Sequence, residues 1–418
     1  MKQEDKITLL QNSLSKCKEY YRSTVPLCAA ENVISEFSKL PLSGDFQERY
    51  IMGSAYSFNL ESNFIGSQFL FPIYSMIHEE CNVLFGKCFA DARTLSGMNC
   101  LTTILMSLTK LNDKVAILPA AWGGHPSVQP VCERLGLDVY ELPYDHEKWD
   151  INYSAANQLI NDKKINYVLL APSDIIHPLD VAQLNLDKCV LLYDVSQTMG
   201  LIAGGVSPNP INLKNTVLFG GTHKTIPGPA SGLILTQNED LYKKMDSKIN
   251  PLYLRHTQMH QVASLLFSLI EVEFFGHEYS TQILKTSNKL GELLEMNGFD
   301  VARIKRQYSE THQLFIFCNT QEMTRIFRNA IRYGVTLNKK EKALFRNSGI
   351  RLGTQEIARY GWEENALLLI CGILNELREK QPNQQRIIEL KSQLPPKNLK
   401  FTFPNEIRQG IMDSLHQI

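Results

Sequence analysis

The run Gly220-Gly221-Thr222-His223-Lys224-Thr225 follows a short apolar stretch that ends at Phe219. A lysine just beyond a buried strand, among glycines and hydroxyl residues, stands where a pocket would form. An amine there can be desolvated, lose proton affinity and form a Schiff base with a carbonyl. Taken alone, such a lysine would sooner be a solvated loop residue. The preceding apolar run, Val190-Leu191-Leu192-Tyr193-Asp194, shifts that balance because it closes on a carboxylate. An aspartate and a lysine on successive strand ends are what pyridoxal 5'-phosphate requires. The aspartate keeps the pyridinium nitrogen protonated so that the ring accepts electrons, and the lysine holds the aldehyde carbon. Ser96-Gly97-Met98-Asn99 opens a helical stretch at Leu101, and free backbone N–H groups at a helix start bind phosphate. Trp122-Gly123-Gly124-His125 follows a further strand-like run. His125 alone would sooner be structural, but the four signals occur in the order that one cofactor site needs.

These residues need elements to position them. A helix is predicted over 3–22, then an aromatic, turn-rich segment to Gly66 and a helix near 72–85. Short apolar strands at 114–118, 139–142, 166–171, 190–193, 216–219 and 232–236 then alternate with helical stretches such as 101–108 and 127–135. Such alternation predicts an α/β fold whose large domain has a mainly parallel central sheet flanked by helices, with ligands at the strand ends. A long helical stretch runs from Gln258 to about 295. A strand at 313–318, a helix at 321–332, a strand at 350–352 and a helix at 363–379 then predict a smaller C-terminal α/β domain. The expected division is an N-terminal arm at 1–90, a large cofactor-binding domain at 91–260, connecting helices at 261–300, a small domain at 301–380 and a tail at 381–418. The tail, with Pro395-Pro396 and Pro404, has weak periodicity and is expected to pack on the body or on a partner.

Composition narrows the partners. The 418 residues carry 43 Lys+Arg against 43 Asp+Glu, so the net charge is zero, which argues against nucleic acid and against a polybasic membrane surface. A content of 44% hydrophobic and 21% charged residues is that of a globular protein. The longest apolar runs fall far short of the ~20 residues that span a bilayer. The opening Lys2, Glu4, Asp5 and Lys6 lack the apolar core of a signal peptide. Nine cysteines, an odd number with no CxxC pair, predict reduced, mostly buried thiols in the cytoplasm, and no metal site is expected.

With those residues in place, the sequence resembles the serine hydroxymethyltransferases, within the aspartate-aminotransferase-like group of pyridoxal phosphate enzymes. The resemblance runs from about Leu27 to Gly361. It rests on Ala29-Ala30-Glu31-Asn32, Leu95-Ser96-Gly97, Gly123-Gly124-His125 and Asp194-Val195-Ser196-Gln197, then on Thr222-His223-Lys224-Thr225 with Gly228-Pro229, and on Ser348-Gly349-Ile350-Arg351-Leu352-Gly353-Thr354. It implies a fold-type-I enzyme, a homodimer with shared active sites, and small amino-acid and aldehyde substrates. By resemblance Lys224 is the Schiff-base lysine, Asp194 the pyridinium partner and His125 the imidazole stacked on the ring. Ser96, Gly97 and Met98 match the phosphate-holding turn, and Ser173 a serine near the ring hydroxyl. Thr222 and Gln197 join the cofactor set, and His223 is the family's histidine beside the lysine. Arg351 matches the arginine that pairs with the substrate carboxylate, a bidentate role that suits guanidinium. Tyr50 resembles the tyrosine lent across the dimer interface, and Glu31 joins it on the substrate side.

Departures from the family pattern cluster where tetrahydrofolate would act. A glutamate is expected two residues after the tyrosine, where Met52 stands, and a thioether cannot usefully exchange a proton. Ala30 replaces a serine, Gln197 a histidine and Ala230 an arginine, and Ala343-Leu344-Phe345 replaces a Ser-Pro-Phe loop. Phe58 to Gly66 replaces a stretch of paired tyrosines and glycines. The glycine pair that crosses to the partner's phosphate is missing near Tyr253–Thr257, where Arg255 and Thr257 could take over its contacts. The expected reaction is of aldol type at the Cα–Cβ bond of a β-hydroxy amino acid: threonine-like cleavage, or transfer of the glycyl unit to another aldehyde, without tetrahydrofolate. Transamination, racemisation, folate-dependent hydroxymethyl transfer and a non-catalytic binding role are the alternatives.

Overall fold

The computed structural model describes residues 3–53 and 66–416. Most of the stretch 58–66 that departs from the family pattern lies outside the described residues. A seven-stranded sheet forms the larger half, in the spatial order 89–91, 232–236, 216–221, 190–194, 167–170, 114–117, 138–141. Strands 216–221 through 138–141 pair in parallel, and only Gly232–Thr236 runs against its neighbours. Val190–Asp194, Thr216–Gly221 and Gly232–Thr236 are almost wholly buried, as strands covered on both faces must be, which explains their unbroken apolar runs. The sheet departs from the expected pattern at its edge: Phe89–Asp91 is a strand, too short to leave a periodic signal.

Four antiparallel strands form the second sheet, in the order 300–301, 313–317, 349–353, 338–340. Helices Thr320–Tyr333 and Glu364–Arg378 cover it, close to the expected bounds. Val25–Pro26 pairs in parallel with Val335–Thr336, and Val25 and Leu27 lie in the apolar core of this half. The early residues thus fold with the C-terminal half of the chain.

One helix, Met259–Met296, serves both halves: Val262 to Val272 sit in the core under the large sheet, while Leu290, Leu293 and Leu294 sit in the other. The tail forms two helices that weak periodicity did not announce, Gln384–Ser392 and Asn405–His416. Ile387 and Leu390 enter the core of the smaller half. Phe403 packs on Phe37, with ring centroids 5.0 Å apart, and the Thr402 hydroxyl bonds the buried carboxylate of Glu271. The tail therefore packs on the body of its own chain. All nine cysteines are free thiols, and among the described residues no helix is long and apolar enough to cross a membrane.

Candidate active site

Lys224 lies in the hairpin loop that joins Thr216–Gly221 to Gly232–Thr236. Its carbonyl accepts a 2.5 Å hydrogen bond from Asn32 Nδ2, which ties the loop to the early segment of the chain. Burial lowers the proton affinity of its amine, Asp194 opposes that and Arg351 adds to it. Asp194 is the last residue of its strand, and its Oδ1 accepts from the backbone N–H of Ser196 at 2.8 Å. His125 is fixed by its backbone N–H, which donates to Ala171 O at 2.8 Å, while its Nδ1 faces the N–H of Ser127 at 3.3 Å. That contact leaves Nε2 as the proton-bearing nitrogen. Burial holds the imidazole below its usual range, with Asp194 opposing and Lys224 reinforcing.

The phosphate side begins one residue upstream of the helix Gly97–Leu108. Ser96 caps it, its Oγ accepting from Asn99 N at 3.1 Å, so the helix opens four residues before the expected Leu101. The N–H groups of Gly97 and Met98 are left in the first turn without a helical acceptor. A Cβ on Gly97 would stand 2.9 Å from Gly221 N, and one on Gly220 would stand 2.6 Å from Ser196 Oγ, so glycine alone lets these backbones meet. Ser196 Oγ accepts from Gly221 N at 2.8 Å. The His223 ring lies against Gly221, and its buried Nδ1 has no hydrogen-bond partner. Burial, with Lys224 second, pushes its pKa down to about 4, so the ring is neutral at pH 7. An orphaned buried nitrogen beside open N–H groups at a helix start fits the phosphate of pyridoxal phosphate. Thr222 is wholly buried and donates its hydroxyl to Pro229 O at 2.7 Å, which closes the lysine loop.

The opposite wall comes from two strands of the four-stranded sheet, the interior Gly349–Gly353 and the edge strand Asn338–Lys340. Arg351, 4% exposed, donates from Nη1 to Ser173 O at 2.8 Å and to Asp174 Oδ1 at 2.9 Å. Its Nε and Nη2 both reach Asn338 Oδ1, at 3.2 and 2.7 Å. Asn338 sits directly across from Arg351 in the strand register, and Lys340 follows two residues on, on the same face. Lys340 Nζ lies 2.6 Å from Asp174 Oδ1, and Lys342 Nζ lies 2.7 Å from Asp174 Oδ2. Burial alone would raise the Asp174 pKa, but Arg351, Lys340 and Lys342 hold it below the usual carboxylate range. Burial and Arg351 push Lys340 down to about 8 against the pull of Asp174. Both Asp174 and Lys342 act electrostatically on His125, which joins this wall to the first. Ser173 N and Asp174 N both donate to Gly123 O, two residues before His125. Gln313 bridges the walls, donating from Nε2 to Ser173 O at 3.1 Å and to Gln197 Oε1 at 2.9 Å.

Lys224, Asp194, His125, His223, Ser96 to Met98, Thr222, Ser173, Gln197 and Arg351 thus belong to one connected region. Tyr50, Arg255 and Thr257 are grouped with one another instead. Tyr50 stacks on His256 at 4.4 Å, Ile51 N donates to His256 Nδ1 at 3.3 Å and Thr257 N to Ile51 O at 3.2 Å, while Arg255 is exposed. Glu31 points outward, and its carbonyl accepts from Gln355 Nε2 at 2.5 Å. Met52 is half-buried, Ala230 is exposed, and Leu344 and Phe345 are buried. Sequence reading passed over Asn32 as a contact of the lysine loop, Ser196, Gln313 and the set Asp174, Asn338, Lys340 and Lys342. Asp174 directly follows Ser173, but Lys339-Lys340-Glu341-Lys342 reads as a solvated charge run.

The family model for serine hydroxymethyltransferase matches residues 3–374. The serine hydroxymethyltransferase of Staphylothermus marinus is 28% identical over 389 residues, covering 88% of this chain and 87% of its own. That of Pyrobaculum aerophilum is 29% identical over 426 residues, covering 98% and 96%. Among solved structures, the L-threonine transaldolase from Pseudomonas fluorescens, in its internal aldimine state, superposes with a TM-score of 0.91 at 23% identity, over 99% of this chain and 97% of that one. That likeness is one of fold. With the match across most of its length and the cofactor cradle in place, this chain belongs to the serine hydroxymethyltransferase family of fold-type-I enzymes, whose cofactor is pyridoxal phosphate.

Proposed function

We propose that the protein breaks and makes the Cα–Cβ bond of β-hydroxy amino acids, handing a glycyl unit from one aldehyde to another, without tetrahydrofolate. When bound, pyridoxal phosphate supplies an aldehyde for the substrate amine and a ring that accepts electrons from the α-carbon. Lys224 would hold that aldehyde, Asp194 would keep the ring nitrogen protonated, and the N–H groups of Gly97 and Met98 together with His223 would hold the phosphate. The substrate α-carboxylate meets Arg351 by displacing the neutral amide oxygen of Asn338 from the Nε–Nη2 edge. Lys224 Nζ, with its proton affinity lowered by burial, gives up a proton more readily than a surface lysine and can take the one on the β-hydroxyl.

The observation that carries the folate-independent reading is the turn Ala343–Phe345. Where the family resemblance implies a loop bearing a hydroxyl, Leu344 and Phe345 are buried in an apolar cluster with Phe315 and Phe317. Met52 removes a second proton-handling group at the position where a glutamate is expected. The structural neighbour, an L-threonine transaldolase, belongs to this reaction type and supports the reading. The test is the rate on threonine and on serine, each with and without tetrahydrofolate. Threonine turnover is expected to be unchanged by the folate. A serine rate that rises by orders of magnitude with folate would replace this reading with hydroxymethyl transfer, the activity that the relatives' names carry. Keto acid in place of glycine and aldehyde among the products would point to transamination.

The exposure of Tyr50 and Arg255, beside the buried Thr257, supports a homodimer in which this segment serves the partner's site, and light scattering on the holoenzyme would test it. Nine free thiols support residence in the reducing cytoplasm.

A further inference from the structure

Three cations, Arg351, Lys340 and Lys342, converge on the single carboxylate of Asp174, whose side chain is wholly buried. The two lysine side chains are only 15% and 18% exposed. Among the described residues, Asp174 is the one carboxylate paired with either lysine. The set therefore carries a formal excess of two positive charges in a place largely stripped of water, which is costly unless anions arrive. The α-carboxylate of an amino-acid substrate supplies one of them, and one positive charge remains. Each ammonium has three N–H donors and gives one to Asp174, so both can take a further acceptor. Leu344 packs against Trp122 and Gly123, Asp174 N donates to Gly123 O two residues before His125, and Lys340 shares Asp174 Oδ1 with Arg351, so the free donors border the reaction site and not remote surface.

We propose that Lys340 and Lys342 form a second anion subsite, and that the aldehyde unit this enzyme removes or accepts bears a carboxylate or phosphate group. Asp174 then acts as the fixed counter-charge that spaces the three cations, and the substrate completes their neutralisation. The inference rests on the glycyl-transfer reading above, but its binding arm can be read without turnover.

The experiment uses the holoenzyme. With glycine as donor, succinic semialdehyde and glycolaldehyde phosphate are compared with butyraldehyde as acceptors, which separates a carboxylate from a phosphate preference. A KM at least tenfold lower for one charged acceptor than for butyraldehyde is expected. In parallel, calorimetry measures the binding of succinate and inorganic phosphate to wild type, Lys340→Gln and Lys342→Gln, each checked for fold by circular dichroism. Glutamine keeps a hydrogen bond to Asp174 and removes the charge. Each variant is expected to bind the preferred anion at least tenfold more weakly. Equal KM for charged and neutral aldehydes, or anion binding unchanged in both variants, would overturn the subsite. Should no aldehyde react, the glycyl-transfer reading falls, while anion binding still decides the subsite. Should the variants fail to fold, the comparison of acceptors on wild type decides it.

Discussion

The strand ends of the seven-stranded sheet and two neighbouring strands of the four-stranded sheet meet at one site, yet they hold their groups by different means. On the first side backbone does most of the holding: a capped helix start, glycines that let three segments touch, and carbonyls that fix Lys224 and His125. On the second side, side chains hold one another: Arg351, Lys340 and Lys342 lean on Asp174, and Asn338 occupies the remaining edge of the guanidinium. The first arrangement rests on backbone hydrogen bonds and close glycine contacts, which no arriving charge has to complete. The second is an electrostatic balance that each arriving anion alters. Under the proposal above, the backbone cradle serves the cofactor, while the choice of substrate falls to a set of charges that a few substitutions can retune.

The comparison can be broken at its strongest point first. Lys224→Ala should lower turnover by roughly 10⁴-fold or more while leaving the melting temperature nearly unchanged, since the residue supplies chemistry and little packing. Borohydride reduction and peptide mapping of wild type that label another lysine would move the cofactor elsewhere. Asp174→Asn should cost about 3 kcal/mol or more in urea unfolding, because three largely buried cations lose the one carboxylate that pairs with them among the described residues. A loss below about 1 kcal/mol would mean that water already screens the cluster, and the contrast between the two walls would vanish. Arg351→Lys should raise KM for the amino acid roughly 10- to 100-fold with a smaller change in kcat, because an ammonium cannot replace a planar fork. Unchanged KM would remove Arg351 from carboxylate recognition.

The smallest effect concerns pH. Burial and Arg351 depress Lys340 from 10.5 to about 8, with Asp174 opposing and Lys342 adding to the depression. Between those values the unfolded chain keeps a proton that the folded chain has released, so stability should rise as pH climbs from about 8 toward 10.5. Below pH 8 the lysine is charged in both states and its burial penalty stands in full. Lys340→Met should flatten that slope in denaturation curves. A slope equal to wild type would assign it to another group.

The same contrast explains what could be read from the sequence. Asp194, Ser96-Gly97-Met98 and Lys224 stand out in the sequence because each lies in a short string with its own local signature, and the structure brings these strings to one region. Asp174 was not, because its partners come from a segment far along the chain, Arg351 being 177 residues away. Lys340 and Lys342 are hidden in a charge run, and the antiparallel pairing of 338–340 with 349–351 brings that run to the site. Most strands of the large sheet were legible from apolar runs, whereas Phe89–Asp91 has three residues and no period to detect. The tail helices bury little beyond Ile387 and Leu390, so their pattern is faint. Tyr50 is singled out by resemblance alone, and the structure sets it beside His256 and Thr257, a grouping that no local string announces.

The helix Met259–Met296 spans about 57 Å at the ordinary rise per residue. Because its first half fills one core and its last turns fill the other, neither half of the molecule can melt without exposing apolar surface of a helix that the other half needs. Heat or urea should therefore meet a single cooperative unit, with fluorescence and circular dichroism tracing coincident curves. A protease that cuts within this helix should release no folded fragment from either side.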